Sequence, residues 1–152
     1  MFDFKSLSSS QRLVLNILVP MLYLFPLVFA YLGPKNFGFG FRNLVYAGLS
    51  VGFVGVLLWM VAMWSLGSSL AVLPGTDQLI TKGVYQVFRH PVYIGIVLTL
   101  TGLFVACGSL PCLIYVVVVV IPLNIFRAKA EEEVLLEQLG AVYKNYKDST
   151  IC

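Results

Sequence analysis

Charged side chains are missing from three long stretches of this 152-residue sequence, residues 13–34, 43–76 and 91–126. Over the whole chain, 59% of the residues are hydrophobic and only 11% are charged. That balance excludes an ordinary soluble domain, in which about a quarter of the residues carry a charge. A helix needs about 20 apolar residues to cross the hydrocarbon layer, so each stretch is long enough for a membrane span.

The third uncharged stretch is long enough for two spans if the chain turns in its middle. Gly108 and Ser109, followed by Pro111, are turn-forming residues at that point. The sequence therefore predicts an all-α polytopic membrane protein with about four transmembrane helices, in a single domain over residues 1–152. The predicted spans are 13–32, 43–66, 92–107 and 111–126.

A cleaved signal peptide is the alternative interpretation of the first apolar run. The run is about twice as long as the core of a signal peptide, and no small-x-small cleavage site follows it before Gly33 and Pro34. We therefore expect the run to be a mature helix.

Basic residues are distributed unequally between the two sides of the predicted membrane. Four spans place both termini and the loop before the third span on one side, and that side carries eight of the ten basic residues. The positive-inside rule then predicts that both termini are cytoplasmic, in the inner or plasma membrane if the protein is prokaryotic. The two basic residues on the opposite side are Lys35 and Arg42. The basic residues form no dense patch, which argues against nucleic-acid binding.

Histidine occurs once and cysteine three times. With one histidine and no zinc-type cysteine spacing, the sequence predicts no metal site. Cys107 and Cys112 flank the predicted turn, and their spacing leaves a disulfide or two apolar thiols open. We favour two thiols, because the sequence alone does not fix the geometry that a disulfide needs.

Polar residues are concentrated in the loop before the third span and in the tail after it. The loop ends in VFRHPVYIG, residues 87–95, where Arg89 and His90 adjoin the uncharged run. Each has a purely structural explanation, Arg89 as an anchor at the lipid headgroups and His90 as an interfacial side chain. A helix start also offers free backbone N–H groups that bind carboxylates. Four polar-tipped residues within nine positions favour a binding site: Tyr85, Arg89, His90 and Tyr93.

The tail has the pattern of one amphipathic helix over residues 127–147. At 100° per residue, Glu132 lies on its apolar face, whereas Glu131 and Glu133 project to either side. The alternative is that the three acidic residues are a solvated helix start, favoured by the helix dipole. The apolar face consists of Leu135, Leu139, Tyr143 and Tyr146.

Three motifs in these two segments occur in a familiar order and spacing. They are G-x-Y-x-x-x-R-H-P-x-Y-x-G at residues 83–95, R-x-x-x-E-E-x-x-L at 127–135 and L-G-x-x-Y-x-x-Y at 139–146. With them, residues 79–147 resemble the isoprenylcysteine carboxyl methyltransferase family of integral-membrane, S-adenosylmethionine-dependent enzymes, and the related phospholipid N-methyltransferases.

The resemblance implies that the loop and the tail enclose S-adenosylmethionine on the cytoplasmic side, with S-adenosylhomocysteine as the product. Arg89 and Glu132 are the expected catalytic residues. The expected cofactor-binding residues are Gly83, Tyr85, His90, Pro91, Tyr93, Glu131 and Glu132.

The chemistry of the donor agrees with these assignments. S-adenosylmethionine carries a carboxylate, an ammonium and a ribose diol, so its site needs both hydrogen-bond donors and acceptors. We expect Glu132 to bind the ribose or the ammonium, and His90 with the helix start to bind the carboxylate. A lipid substrate is expected to enter laterally between the spans.

Several acceptors remain open at this stage. The leading hypothesis is the carboxylate of a prenylated cysteine or a similar lipophilic acid, and the alternative is the amine of a phospholipid. The tail ends in KDSTIC, where the isoprenylcysteine enzymes continue with an arginine and an apolar segment, and this departure makes a non-catalytic membrane scaffold a further alternative. Sterol-type reductases share an R-H-P-x-Y-like element, but they need several more spans.

Overall fold

The computed structural model describes residues 9–32, 41–66 and 79–151, with the side chains of the first range described from residue 18 onward. These residues are all-α, as predicted, and the single β contact among them is an isolated bridge between Phe88 and Ile151. One 3-10 turn, Gly83–Gln86, precedes the third helix. The helices are α1 (Ser9–Leu32), α2 (Arg42–Leu66), α3 (Pro91–Cys107), α4 (Leu110–Tyr115), α5 (Ile121–Leu139) and α6 (Ala141–Ser149).

Within the described ranges, two helices are long and apolar enough to cross a membrane. One is α2, and the other is the continuous helix Leu110–Leu139, in which a π-helical turn at Val116–Val120 joins α4 to α5. We call Leu110–Leu139 the long helix. With 17 residues, α3 is about 25 Å long, slightly shorter than a hydrocarbon layer of about 30 Å. The prediction of four spans is therefore supported in part, and the first and third spans stay predictions.

The predicted turn between the third and fourth spans is confirmed. Gly108 ends α3 in the left-handed conformation, with φ at 68°, which a glycine adopts without steric cost. Pro111 lies in the first turn of α4, where its missing N–H leaves no helical hydrogen bond unmade. Cys107 and Cys112 are both free, as we favoured, and the Cys112 thiol lies 3.5 Å from the carbonyl oxygen of Pro26.

Helices α2 and α3 pack with their backbones in direct contact. A Cβ atom added to Gly102 would lie 2.2 Å from the backbone nitrogen of Gly52, and one added to Gly95 would lie 2.8 Å from that of Trp59. Small residues permit such close approach between membrane helices. The opposite side of α2 exposes large apolar side chains, among them Phe53, as a lipid-facing helix does. This packing fixes the start of α3 relative to α2.

A proline inside helix α1 creates one of the contacts between α1 and the long helix. Pro26 has no N–H, so the carbonyl of Leu22, four residues earlier, lacks its helical partner. The Tyr115 hydroxyl donates a hydrogen bond to that carbonyl oxygen at 3.1 Å. One residue along, the Tyr23 hydroxyl donates to Oδ1 of Asn124 on α5.

The prediction of one continuous tail helix over residues 127–147 is wrong. The first part of the tail continues the long helix as far as Leu139, and the chain then turns at Gly140, which has a φ of 50°. Helix α6 follows, and the chain then reaches the loop before α3. There the N–H of Ile151 donates to the carbonyl of Val87 at 2.8 Å, and the N–H of Arg89 donates to the carbonyl of Ile151 at 3.2 Å.

Candidate functional site

The loop before α3 and the tail meet at His90. His90 is the residue that precedes α3, and its Nε2 atom lies 3.2 Å from Oε1 of Glu132 on α5. The Nε atom of Arg89 lies 3.7 Å from the same carboxylate oxygen. Residues 42 positions apart in the sequence are thereby brought into contact at the start of a helix.

Glu131 also contacts His90, so the prediction that only Glu132 points inward is wrong. We call Arg89, His90, Tyr93, Glu131 and Glu132 the cluster. The Tyr93 hydroxyl donates a hydrogen bond to Oε1 of Glu131, and Nδ1 of His90 lies 3.8 Å from its Oε2. Two consecutive helical residues project about 100° apart, and the His90 ring lies between their carboxylates. Helical phase failed here because it assumes contact along a single face of α5, whereas His90 contacts two carboxylates that project in different directions. Glu133 is exposed.

The rings of His90 and Tyr93 are stacked, and the Arg127 guanidinium lies over the Tyr93 ring. The His90 and Tyr93 ring centroids lie 5.7 Å apart with an interplanar angle of 21°. The guanidinium carbon of Arg127 lies 5.3 Å from the Tyr93 centroid, within the range of a cation–π interaction. Through Tyr93, these contacts connect His90 with Arg127 on the long helix.

Lys147 is a partner of the cluster that sequence reasoning missed. Its Nζ atom lies 2.7 Å from Oε2 of Glu132, so the two side chains form an ion pair. The two residues are 15 positions apart and meet only because the chain turns at Gly140. A glycine within an otherwise helical pattern was the available signal for that turn.

The remaining site residues proposed from the sequence support the loop. Tyr85 is buried, and its backbone carbonyl, not its hydroxyl, accepts a hydrogen bond of 2.6 Å from the Tyr146 hydroxyl. Gly83 has a φ of 63°, and a Cβ atom there would lie 2.8 Å from Oγ of Ser65. Pro91 is buried as the first residue of α3. Tyr143, 1% exposed, packs against the Tyr146 ring.

Loss of the Tyr146 hydrogen bond is expected to loosen the tail. In Tyr146→Phe the Tyr85 carbonyl loses its donor, which should cost about 1 kcal/mol. We expect the melting temperature in detergent to fall by about 2–4 °C. Tyr31→Phe removes the hydroxyl of an exposed tyrosine and is the matched control. Equal melting of both variants would show that the tail does not depend on this bond.

The two carboxylates differ in their electrostatic environment. Both lie beyond Phe126, the last residue of the uncharged run. Burial raises the pKa of Glu131, although the hydrogen bond from Tyr93 and the charges of His90 and Arg127 oppose the rise. Burial also acts to raise the pKa of Glu132, but the hydrogen bonds from Lys147 and His90 and the nearby charge of Arg89 outweigh it, so this pKa is lowered. Glu132 therefore ionises more readily, and Glu131 holds a proton more readily.

These opposite shifts predict opposite contributions to stability as the pH changes. The lowered pKa of Glu132 stabilises the fold above the ordinary carboxyl pKa, and this contribution is lost as the pH falls through the folded-state pKa. The raised pKa of Glu131 has the reverse sign, because the folded state binds that proton more tightly. Melting curves between about pH 3 and 7 should lose stability on the acid side less steeply in Glu132→Gln than in wild type. Parallel curves would contradict the lowered pKa.

The residues present fit the donor expected from the sequence. The Nε atom of Arg89 is buried, and at 3.7 Å from Glu132 it has no hydrogen-bond partner among the described residues. The His90 side chain forms no capping hydrogen bond with the N-terminus of α3. Both features suit a carboxylate, while Glu131 and Glu132 supply acceptors for an ammonium or a diol.

A family match defines the class of this chain. The model of the phospholipid methyltransferase family matches residues 43–142, more than half of the chain. The chain therefore belongs to the phospholipid methyltransferase family. The family resemblance found in the motifs is confirmed, and the chain belongs among membrane methyltransferases, which typically use S-adenosylmethionine. No curated protein and no solved structure matches it significantly.

Proposed function

We propose that this chain transfers a methyl group from S-adenosylmethionine to the carboxylate of a lipid-embedded acceptor, such as a prenylated cysteine or a similar lipophilic acid. The observation that supports this most strongly is the contact of Arg89 and His90 with Glu131 and Glu132. This cluster lies where the uncharged helices end, so a water-soluble donor and a membrane-embedded acceptor can meet there.

The cluster residues have separate roles in binding the donor. Glu132 accepts hydrogen bonds from the donor's ribose or ammonium, and Lys147 must release one of its oxygens for this. His90 and the uncapped start of α3 bind the donor's carboxylate. Gly83, Tyr85 and Pro91 shape the loop that presents them. Tyr93 and Glu131, which are joined by a hydrogen bond, line the site between His90 and Arg127.

Arg89, beside His90, helps to hold the donor's carboxylate through its buried Nε atom. The acceptor's carboxylate, with a pKa near 4, is ionised at neutral pH, so no general base is needed. One carboxylate oxygen forms a bond to the methyl carbon as the carbon–sulfur bond breaks, and the electron pair stays on sulfur. When bound, S-adenosylmethionine supplies that methyl group on a sulfonium. Catalysis by this chain then consists of in-line positioning and charge complementarity.

Methylation of a phospholipid amine is a second candidate, because Glu131 is suited to it. An amine is mostly protonated at neutral pH and must lose a proton before it attacks the methyl carbon. Burial raises the pKa of Glu131, which brings that carboxylate closer to the range useful for a general base. The description of the matched family also favours this acceptor class.

The chemical stability of the product separates the two candidates. Purified protein is incubated with methyl-labelled S-adenosylmethionine and a native lipid extract, and the labelled lipid is treated with mild base. Release of the label as volatile methanol identifies a methyl ester and supports the proposal. Label that stays non-volatile after base identifies a methylamine and supports the second candidate, and the absence of labelled lipid contradicts both.

We also propose that both termini and the loop before α3 are cytoplasmic, since the loop and the tail must share a side to form the cluster. Ser9→Cys and Ser149→Cys, each in a variant without the three native cysteines, should react with an impermeant thiol reagent only after the membrane is opened. Labelling of either residue from outside intact cells would overturn this orientation.

A further inference from the structure

Asn124 is a buried polar residue near the end of the uncharged run. It lies in the uncharged run and is 5% exposed, and its Oδ1 atom accepts the hydrogen bond from Tyr23. Its Nδ2 atom is buried and has no partner among the described residues. An amide nitrogen without an acceptor is costly in hydrocarbon, and such intramembrane polar groups commonly serve a substrate.

The position of Asn124 connects it with the cluster. Asn124, Arg127 and Glu131 follow one another at three- and four-residue spacing, so they share a face of α5. Asn124 and Glu131 are seven positions apart, which corresponds to about 10 Å along the helix axis. Asn124 therefore lies about 10 Å deeper in the apolar layer than the carboxylate next to His90, with Arg127 between the two levels.

The neighbours of Asn124 orient its amide group. Because Tyr23 donates to Oδ1, both hydrogens of Nδ2 are available as donors. The Tyr23 hydroxyl also interacts with Arg127, whose guanidinium lies over the Tyr93 ring. An amide donor and a guanidinium thus lie within one helical turn of each other on the apolar side of the cluster.

We propose that Asn124 and Arg127 bind the anionic headgroup of the lipid acceptor, a carboxylate or a phosphate, with Tyr23 as the positioning residue that orients the amide. Two donors, one of them charged, are the recognition chemistry of an oxyanion. The proposal rests on the proposed function, since it assigns the lipid side of the same site. It places the acceptor on the membrane side of Tyr93 and the donor on the side of His90.

Binding measured without turnover tests this inference separately from catalysis. The protein in detergent is titrated with N-acetyl-S-farnesylcysteine, with phosphatidic acid, and with their uncharged counterparts, the N-acetyl-S-farnesylcysteine methyl ester and diacylglycerol. Wild type should bind at least one anionic lipid more tightly than its uncharged counterpart. Preference for the farnesylcysteine acid identifies a carboxylate, and preference for phosphatidic acid identifies a phosphate. Equal binding of each pair would overturn the inference.

Two variants at one position test the role of the amide. Asn124→Leu keeps the approximate volume and removes the donor, and should weaken binding of the anionic lipid about tenfold or more. Asn124→Asp keeps the acceptor for Tyr23 but adds a repelling charge, and should weaken it at least as much. Affinity for S-adenosylhomocysteine should be unchanged in both, which also shows that they fold. Wild-type affinity of both variants for the anionic lipid would overturn the inference.

The outcomes also separate this inference from the proposed function. Anionic-lipid binding that depends on Asn124, without methyl transfer to any lipid, would contradict the proposed function and leave the headgroup site standing. Methyl transfer that proceeds with the same lipid KM in wild type and Asn124→Leu would support the proposed function and overturn the headgroup site.

Discussion

Gly102→Leu is expected to prevent the stable association of α2 and α3. A Cβ atom at this position would lie 2.2 Å from the backbone nitrogen of Gly52 and 2.5 Å from the backbone oxygen of Gly48. No side-chain rotation relieves a clash with backbone, so the two helices must separate along their contact. Overpacking of a tight interface costs about 1–3 kcal/mol and sometimes more, and a clash with backbone belongs at or above the upper end. We expect misfolded or aggregated protein in size-exclusion chromatography.

Ala47→Leu is the control for this substitution. It also introduces a leucine into the α2–α3 pair, but Ala47 is exposed on α2, beside the buried Gly48. The control should elute and melt as wild type does. A monodisperse Gly102→Leu with wild-type melting would show that the close glycine contact is not needed for the fold.

Glu132→Gln is expected to lower the affinity for S-adenosylhomocysteine by roughly ten- to a hundredfold, equivalent to about 1.4–2.8 kcal/mol. The substitution keeps the shape of the side chain and removes its charge. The affected contacts are those to His90, Arg89 and Lys147, all of which depend on an ionised carboxylate. Isothermal calorimetry at one salt concentration measures the change, and thermal melting checks the fold.

The two neighbouring carboxylates provide graded controls. Glu133→Gln should leave the affinity unchanged, because Glu133 is exposed. Glu131→Gln should have an effect as well, since the Tyr93 hydroxyl and His90 contact this carboxylate. Small and equal effects at all three positions would mean that the acidic residues are only the solvated part of a helix.

The apolar architecture followed from the sequence because hydropathy and turn residues act locally. The charge-free runs predicted the helices, and Gly108 with Ser109 predicted the turn that the structure shows. Span length was less predictable. No charge pattern showed that the helix beginning at Leu110 continues beyond Phe126 to Leu139, because charged residues outside the membrane are equally compatible with a continued helix.

The candidate site was predictable in its members and less so in its geometry. The motifs identified Arg89, His90, Glu131 and Glu132, which the fold brings into contact. Helical phase assumed one uninterrupted tail helix, and the turn at Gly140 broke that assumption. Contacts that depend on this turn, such as Lys147 with Glu132, were therefore beyond a periodicity argument.

The intramembrane contacts were also outside the reach of pattern reasoning. Tyr23 and Asn124 are 101 positions apart, and neither belongs to a motif. Their pairing depends on how α1 lies against the long helix, which is set by Tyr115 and the free carbonyl that Pro26 leaves at Leu22. A polar residue within an uncharged run was the only sequence signal for Asn124.

The proposed function requires that His90 and its carboxylate partners bind the methyl donor. The decisive measurement is calorimetric titration of the purified protein with S-adenosylhomocysteine, in wild type and in His90→Ala, with Lys144→Ala as an exposed control. We predict binding in wild type and Lys144→Ala, and a loss in His90→Ala of about 1.5–3 kcal/mol, the value of a hydrogen bond to a charged group. Equal affinity in all three proteins, or no binding by a folded wild type, would contradict the assignment of the site.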